Sequence, residues 1–313
     1  MLIFKQMIIL FLLMMVGYVC RKRGLLNDEG SKKISGLVVN VANPALVLSA
    51  GINPASRVEG RELLQTVGLA AAVYLYLIIA AQIIPRILKV DRKDRGVYRV
   101  MTIFSNIGFI GFPLIAAVYG KEAILHASVF SIPYNMLIYT YGISAMKPKV
   151  TGKEIPERKR IPWSKIFNVG VMACLLMIVL YLSGITVPYV VETTVTNLSN
   201  LTAPLSMIVI GDAMARRKWS SLFSDVKMLI FSFLKMLLLP LVGVFLLSLA
   251  VKDPVRMGVA MVMLATPVGS MTAMLAQQYD GNYELSSGAV ALTTLESVIT
   301  IPVVSVFMSL LCK

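Results

Sequence analysis

The chain has 313 residues, of which 57% are hydrophobic and only 15% charged, and its mean hydropathy is +0.79. This composition excludes an ordinary soluble domain, which has fewer apolar residues and alternates them with charge. The formal net charge of +14 would suit a nucleic-acid-binding protein, but the basic residues lie in short clusters between apolar runs, so we expect no nucleic-acid partner.

About ten apolar stretches of roughly 17–25 residues, the length that a helix needs to cross a bilayer, follow one another along the chain. We call them spans 1 to 10, and they cover residues 5–20, 34–52, 62–84, 100–118, 123–145, 165–184, 197–214, 227–250, 256–277 and 285–312. Span 1 has no small-residue cleavage site and is followed, rather than preceded, by basic residues, so we do not expect a cleaved signal peptide. The chain is therefore predicted to be an all-α integral membrane protein with little length left for a soluble domain.

Basic residues are concentrated in the loops after spans 1, 3, 5 and 7. The loops after spans 2, 4, 6 and 8 hold only Arg57, Arg61, Lys121, Lys252 and Arg256. Positively charged loops stay in the cytoplasm, so we predict a multi-pass protein of the cytoplasmic membrane with both termini outside. The short acidic turn after span 9 departs from this pattern, but acidic residues weigh little in the rule.

Two sets of residues recur at a constant spacing. Asn40, Pro44 and Gly51 of span 2 recur 160 residues later as Asn200, Pro204 and Gly211 of span 7, and Gly108 and Gly120 recur 161 residues later as Gly269 and Gly281. Because each half holds five spans, an odd number, the second half would enter the membrane from the opposite side. We predict two inverted repeats, residues 1–145 and 165–313, joined by a basic cytoplasmic loop at 146–164. Such repeats are typical of secondary transporters, although glycine and proline are common in membrane helices generally.

Spans 4 and 9 carry residues that interrupt a helix. Pro113 lacks an N–H, and Gly108 and Gly111 leave helical angles easily, so span 4 is predicted to kink or break near 109–113. Span 9 is predicted to break around Pro267. Two such breaks in matched positions would cross near the bilayer centre, where helix N-termini favour an anion and unwound carbonyls favour a cation.

The crossing is therefore the predicted substrate site. Its candidate residues are Ser105, Asn106, Gly108 and Pro113 of span 4, and Thr266, Pro267, Gly269 and Ser270 of span 9, with Thr272 as a further hydrogen-bonding group. Asn40, Asn43 and Asn200 flank the prolines of spans 2 and 7 and are candidates on the other side of a substrate path. Helix capping at the kinks is the alternative role for these three asparagines.

Glu296 lies in the middle of span 10, where a carboxylate costs about 2.5–3.5 kcal/mol on the insertion scale. In the repeat register it corresponds to Asn135 of span 5, and we predict that these two residues form an ion-coupling site for H⁺ or Na⁺. A glutamate that only holds helices together by hydrogen bonds is the alternative.

Three other polar residues invite simpler readings. Lys235 of span 8 has a long stem and is expected to snorkel to the interface, the alternative being a charge that attracts anions. Asp212 is expected to form a surface pair with Arg216, four residues later. His126 is expected to be an interfacial residue without a mechanistic role, rather than a proton relay.

Enzyme chemistry and metal binding lack the residues that they need. Cys20, Cys174 and Cys312 suggest neither a disulfide framework nor a metal site, and His126 is the only histidine. The aspartates lie in loops or at helix ends rather than in a catalytic pair. We expect no enzyme activity and no cofactor apart from a coupling ion.

The chain resembles the auxin efflux carrier family, which includes bacterial relatives of the plant PIN auxin transporters. The resemblance covers nearly the whole chain and rests on GYVCRKRGLLNDEGSKKIS, NVANPALVLSAGI, FSNIGFIGFPLIAAVYG, LTAPLSMIVIGDAMA, ATPVGSMTAMLAQQYDGN and TTLESVITIP, in that order. Asn106, Pro113, Pro267 and Gly269 match the crossing of that family. Glu296 and Asn43 depart from its pattern, standing where apolar residues are expected.

The resemblance implies a fold similar to that of bile-acid sodium symporters. Spans 1, 2, 6 and 7 would form a scaffold domain, and spans 3–5 and 8–10 a transport domain in which spans 4 and 9 cross. It also implies elevator-like transport, carboxylated solutes such as auxin and malonate, and a homodimer. Because relatives work both with and without ion coupling, the energy source does not carry over.

The predicted function is therefore secondary transport of a small organic anion. A solute sensor or receptor built on a transporter fold is the main alternative, although no span leaves room for a signalling domain. An intramembrane enzyme and a channel are further alternatives, and saturation of the flux would separate a carrier from a channel.

Overall fold

The computed structural model describes residues 2–52, 60–146, 169–216, 225–279 and 281–311. Most of the predicted cytoplasmic loop at 146–164 lies outside the described residues, as do Arg57 and Cys312.

Twelve helices follow one another in the described part of the chain. They are α1 (Leu2–Lys22), α2 (Asp28–Gly51), α3 (Gly60–Ile87), α4 (Arg95–Ile103), α5 (Ile107–Tyr119), α6 (Ala123–Leu137), α7 (Val169–Ser183), α8 (Tyr189–Ala215), α9 (Val226–Ser248), α10 (Pro254–Ala265), α11 (Ser270–Gln278) and α12 (Tyr283–Leu311). A π-helical turn, Ile138–Gly142, and a last turn, Ile143–Met146, extend α6. Further π turns lie within α2 (Val38–Ala42) and α9 (Leu234–Leu238), and another opens α5 (Ile107–Gly111).

The predicted all-α membrane protein is confirmed for the described residues, which contain no strand. Six of the helices, α1, α2, α3, α8, α9 and α12, are long and apolar enough to cross a membrane. Large apolar side chains remain exposed along these helices, as Leu12 and Val16 do on α1 and Ile299 and Val306 do on α12. In a membrane protein such faces contact lipid, so their exposure needs no further partner.

Polar caps mark where several helices begin. Asn27 accepts a hydrogen bond from the Gly30 N–H at 2.7 Å at the start of α2, and Asp253 accepts one from the Arg256 N–H at 2.7 Å at the start of α10. Asp225 caps α9 in the same way, through the N–H of Lys227. Each cap satisfies a backbone donor that the helix leaves free.

Two pairs of helices pack closely through glycine. A Cβ atom on Gly211 of α8 would collide with the backbone oxygen of Met14 of α1. A Cβ atom on Gly51 of α2 would lie only 2.6 Å from the backbone oxygen of Met177 of α7. Small residues let membrane helices approach in this way, so α1 packs on α8 and α2 packs on α7.

The short helix α10 lies in the middle of the molecule. All of its residues from Met257 to Ala265 are buried, and it packs against α3, α5, α6, α9 and α12. A helix that is apolar on every side and surrounded by others holds its C-terminal end at a fixed depth. That end is where the chain leaves helical geometry.

Candidate functional site

Two interrupted helices form the centre of the site. α4 ends at Ile103, and α5 begins at Ile107 with Asn106 as its cap. α10 ends at Ala265, and α11 begins at Ser270 after an extended segment that contains Pro267.

The break in span 9 is confirmed at its predicted place, but the predicted position in span 4 is wrong by several residues. The chain leaves helical geometry at 104–106, before both glycines and the proline. Gly108 and Gly111 lie in the π turn that follows, and Pro113 lies in the regular helical part after it. Pro113 is therefore the seventh residue of α5, just after the π turn, and it neither starts nor ends that helix.

The two extended segments pair with each other as a minimal antiparallel ladder. The Asn106 N–H donates to the Pro267 carbonyl at 2.7 Å, and the Gly269 N–H donates to the Phe104 carbonyl at 2.9 Å. Ser105 and Val268 lie opposite each other between these bonds. Backbone groups that leave a helix inside a membrane protein need such partners, and here each broken helix satisfies the other.

Lys235 of α9 lies against this crossing. It is fully buried, and its Nζ donates to the Ser105 Oγ at 2.8 Å and to the Thr102 carbonyl at 3.1 Å. No acidic side chain of the described residues lies within 4.0 Å of it. The prediction that Lys235 snorkels to the interface is therefore wrong: its stem points into the protein.

The sequence itself contains a signal that Lys235 points into the protein. Lys235 lies nine residues after the start of α9 at Val226, about 13 Å along the helix axis. Its side chain is too short to return to that end comfortably, which favours a partner inside the protein.

Several groups make the electrostatic potential at the crossing positive. Both α5 and α11 begin there, so both direct their N-terminal partial positive charges towards it. The Asn106 Oδ1 accepts the Phe109 N–H at 3.3 Å, and the buried Nδ2 of Asn106 has no hydrogen-bond partner among the described residues. With the ammonium of Lys235 behind it, this region is suited to a negatively charged group.

A cavity of about 1340 Å³ reaches the first turns of α5 and α11, next to the crossing. At its mouth lie Asp28 and Arg216, next to the basic loops after spans 1 and 7, and Tyr283, next to the acidic turn after span 9. At its inner part lie Phe109 in the first turn of α5, Ser270 in the first turn of α11, and Thr294 of α12. The cavity therefore separates α2 and α8 on one side from α11 and α12 on the other.

Most of the predicted substrate residues meet at the crossing. Ser105, Asn106, Gly108, Pro113, Thr266, Pro267, Gly269 and Ser270 lie on the two segments and on the helices that follow them. Thr272 is buried in α11 and lies 3.0 Å from the Ser286 Oγ of α12. Of these nine, Ser270 lines the cavity itself.

The three predicted asparagines outside the crossing lie in different surroundings. Asn43 reaches it: its Nδ2 lies 3.3 Å from the position of a Cβ atom on Gly108, and its buried Oδ1 has no partner among the described residues. Asn40 is exposed, and its amide donates to the Gly36 carbonyl at 2.9 Å. Asn200 is exposed too, and neither it nor Asn40 lines the cavity.

Glu296 is half-buried and faces α9. Its Oε1 accepts a hydrogen bond from the Ser232 Oγ at 2.8 Å, while its buried Oε2 has no partner in the described residues. Asn135 of α6 donates to the Ser131 carbonyl at 2.8 Å. Ser232 has no distinctive sequence signal, since a lone serine in a membrane helix is common.

The expected surface pair of Asp212 is a buried network instead. Asp212 is fully buried, and it pairs with Arg216 and, at 3.7 Å, with Arg21 of α1. Asp28 of α2 joins both arginines, at 2.5 Å and 3.0 Å. The spacing of Asp212 and Arg216 revealed only one of these contacts, because α1 and α2 supply the others.

His126 is buried and lies 2.8 Å from the Thr66 Oγ1 of α3 through its Nδ1. This bond ties α6 to α3. Across the described residues, no group of three or more histidine, cysteine, aspartate or glutamate side chains could hold a metal ion.

Comparison with known proteins identifies the family. The profile of a family described as "Membrane transport protein" matches residues 2–305. The chain belongs to this family. The match spans nearly the whole chain and confirms the resemblance to the auxin efflux carriers.

Two archaeal proteins are similar to this membrane transport protein along almost their whole length. An uncharacterized transporter of Methanothermobacter thermautotrophicus is 22% identical over 301 residues, covering 94% of each chain. An uncharacterized transporter of Methanocaldococcus jannaschii is 22% identical over 305 residues, covering 94% of this chain and 95% of the other.

Proposed function

We propose that this member of the membrane transport protein family is a secondary transporter that moves a small organic anion across the cytoplasmic membrane. The anion binds where the segments 104–106 and 266–269 pair, at the inner end of the cavity. The observation that carries the proposal is the convergence of Lys235 and the N-terminal ends of α5 and α11 on this one place.

The charge of Lys235 favours an anionic ligand. Burying an ammonium group has an effective penalty of several kcal/mol unless an opposite charge compensates it. Lys235 has two hydrogen-bond partners among the described residues, the Ser105 hydroxyl and the Thr102 carbonyl, and both are neutral. A carboxylate bound in front of them would supply the missing charge, in a region of low dielectric where charge interactions are strong.

Two asparagines would form hydrogen bonds with the polar part of the same ligand. Among the described residues, the Asn106 Nδ2 is a buried donor without a partner and the Asn43 Oδ1 a buried acceptor without one. Leaving such groups unpaired costs about 1–3 kcal/mol each, and a ligand that carries both an acceptor and a donor would satisfy them. Ser270 would add a hydroxyl from the cavity wall.

The architecture that we propose has ten membrane helices in two inverted repeats. Gly51 and Gly211, 160 residues apart, each meet the backbone of a helix from the other half, which is the reciprocal packing that such repeats produce. In this arrangement α4 with α5 forms the fourth membrane helix, and α10 with α11 the ninth. The antiparallel pairing of their breaks supports an arrangement with internal two-fold symmetry.

Alternating access follows from the same arrangement. The cavity separates α2 and α8, which belong to the proposed scaffold, from α11 and α12, which belong to the proposed transport domain. Movement of the transport domain as an elevator would carry the crossing from one side of the membrane to the other. The basic loops beside the cavity mouth support an opening towards the cytoplasm, with both termini outside.

The test is a ligand screen on the purified protein by thermal stabilisation. Small carboxylates, including malonate, are compared with neutral amides and amines of similar size. A ligand that binds only the folded state raises the Tm by mass action, so we expect carboxylates to raise it and the neutral or cationic compounds not to.

Lys235→Met gives the decisive variant, because methionine keeps an apolar stem and removes the charge. We expect it to abolish the carboxylate response. Lys227→Met is the matched control, since Lys227 is exposed at the start of the same helix. A carboxylate response that survives in Lys235→Met would place the anion elsewhere, and a response to amines alone would contradict an anion carrier.

A flux measurement separates a carrier from a channel. In proteoliposomes, uptake of a radiolabelled carboxylate hit should saturate with concentration and should be lost in Lys235→Met. Flux that rises linearly with concentration would favour a channel.

A further inference from the structure

We propose that Glu296, Ser232 and Thr300 form a binding site for one monovalent cation, a proton or sodium, whose occupancy and that of the anion at the crossing favour each other. This inference rests on the proposed function, and it specifies an electroneutral coupling of one cation to one anionic charge.

Ser232 and Glu296 join α9 to α12, and Thr300 adds a third oxygen atom one turn further along α12. Ser232 of α9 contacts the Glu296 Oε1 of α12 at 2.8 Å. Thr300 lies four residues after Glu296, on the same face of α12. The Thr300 Oγ1 and the Glu296 Oε2 are both buried and have no hydrogen-bond partner among the described residues, and Thr300 is only 8% exposed.

Hydrogen-bond donors are too few for an ionised carboxylate at this place. The Ser232 hydroxyl carries a single hydrogen, and its Oγ lies 2.9 Å from the Leu229 carbonyl as well as 2.8 Å from the Glu296 Oε1. At most one of these acceptors receives that hydrogen. A half-buried carboxylate whose Oε2 is buried, with one donor at most among the described residues, is poorly solvated, and a proton on the carboxyl or a sodium ion between the oxygens corrects this.

Lys235 is the nearest relevant charge in sequence, three residues after Ser232 and therefore one turn along α9. Five helices pack on α12, namely α1, α4, α9, α10 and α11. Their charged and titratable side chains are Lys5, Tyr18, Cys20, Arg21, Lys22, Arg95, Tyr98, Arg99, Lys227, Lys235, Arg256 and, just after α11, Tyr279. Among the charged members of this set only Lys235 is fully buried, so it dominates the charge balance around Glu296.

The coupling between the cation and the anion follows from the net charge of Lys235, Glu296 and the two ligands. With Lys235 and Glu296 both ionised, the pair is neutral. A carboxylate bound at the crossing adds one negative charge, and a cation at Glu296 restores neutrality. Separated charges in a region of low dielectric are unfavourable, so each ligand strengthens the binding of the other, and this effect is reciprocal.

The cavity offers the cation a route. Met228 of α9 lines it and lies four residues before Ser232, on the same face of the helix. Ser232 therefore lies one helical turn beyond the cavity lining, which is the distance that a cation entering through the cavity has to cross.

The test measures the Tm of the purified full-length protein without any anion. One arm varies sodium chloride against potassium chloride at constant ionic strength and pH 7.5, and the other varies the pH from 8 to 5.5 without sodium. We expect either added sodium or lower pH to raise the Tm of the wild type, by roughly 5 °C when the cation that binds is at 100 times its Kd. A response to sodium identifies a sodium site, and a response to acid alone identifies a proton site.

Glu296→Gln should remove the response, because glutamine still accepts a hydrogen bond from Ser232 but carries no charge. Glu122→Gln is the matched control, since Glu122 is exposed before α6, and it should respond like the wild type. Thr300→Val should weaken a sodium response several-fold and leave a proton response intact. Ser232→Ala, which changes no charge, serves if Glu296→Gln does not fold, and it should lower the affinity for either cation.

Two results would overturn the proposal. One is a wild type whose Tm responds to neither cation, and the other is a response that persists in both Glu296→Gln and Ser232→Ala. Because no anion is present, either failure leaves the proposed anion transport standing, whereas failure of the carboxylate screen leaves the cation site standing.

Discussion

Lys235 and Glu296 show how a single polar side chain in an apolar helix takes its role from its neighbours. Both interrupt long apolar sequences, and each lies where α9 and α12 are in contact. Lys235 reaches across to α4, whereas Glu296 is held by Ser232 of α9. The sequence marked both as unusual, but it could not tell which of them points into the crossing.

Glycine at position 269 permits the close approach of the two segments at the crossing. A Cβ atom there would lie 2.9 Å from the Ser105 carbonyl oxygen and 3.1 Å from that of Phe104. These are backbone atoms held by the ladder, so they cannot move aside without breaking it.

We therefore predict that Gly269→Ala lowers the stability by about 1–3 kcal/mol, the usual range for overpacking, and weakens carboxylate binding. The control is Gly68→Ala, because nothing lies within 4 Å of a Cβ atom at Gly68 in α3. Alanine favours a helix over glycine by up to about 1 kcal/mol, so the control should be neutral or stabilising. Thermal unfolding measures both, and an equal effect of the two substitutions would contradict the role of Gly269.

At the scale of elements, an ion-pair network joins the ends of α1, α2 and α8 beside the cavity mouth. Asp212 is buried at its centre, while Arg21 and Arg216 are partly exposed and Asp28 is exposed. The network complements the glycine packing of α1 on α8, and the two together make these helices a rigid unit.

We predict that Asp212→Asn destabilises the protein, because both arginines then lose a buried carboxylate. Removing one partner of a buried ion pair costs about 3–5 kcal/mol, and the partial exposure of the arginines should bring the loss to the lower end. Glu29→Gln is the control, since its pair with Lys33 is exposed and such pairs contribute about 0–1 kcal/mol. The melting temperatures of the two variants check this, and similar values would show that the network contributes nothing beyond a surface pair.

At the scale of the whole molecule, the proposed elevator mechanism requires the proposed scaffold and transport domain to slide past each other. One contact between them is well placed to report this movement. The Ser131 Oγ of α6 lies 3.0 Å from the Cys174 Sγ of α7, and both residues are buried.

We predict that Ser131→Cys, in a background that carries Cys20→Ser and Cys312→Ser, forms a disulfide with Cys174 on oxidation. The locked protein should lose most of its carboxylate transport in proteoliposomes and should regain it on reduction. The same background without Ser131→Cys should transport equally well before and after oxidation. Undiminished transport by the fully cross-linked protein would contradict a sliding movement at this contact.

The fold class and the family of this protein can be predicted from its sequence alone, because a membrane restricts the structures that a chain can form within it. Apolar runs long enough to cross a bilayer predict an all-α membrane protein. The six motifs that resemble those of the auxin efflux carriers predict the family. Pro267 predicts the break in span 9 correctly, although Pro85 of α3 and Pro302 of α12 lie inside continuous helices, so a proline marks a candidate position that the surrounding structure must confirm.

Only the tertiary structure decided what the polar residues contact. Pro113 predicts a break but lies within α5, and the chain breaks earlier, at 104–106, where it pairs with 267–269, far away in the sequence. Asp212 looks like a surface residue in the sequence, but α1 and α2 bury it, and Lys235 looks free to snorkel, but Thr102 of α4 and Ser105 just after it bind its Nζ. Local rules describe a helix and its ends, whereas the partner of a buried charge is chosen by packing between helices that are distant in sequence.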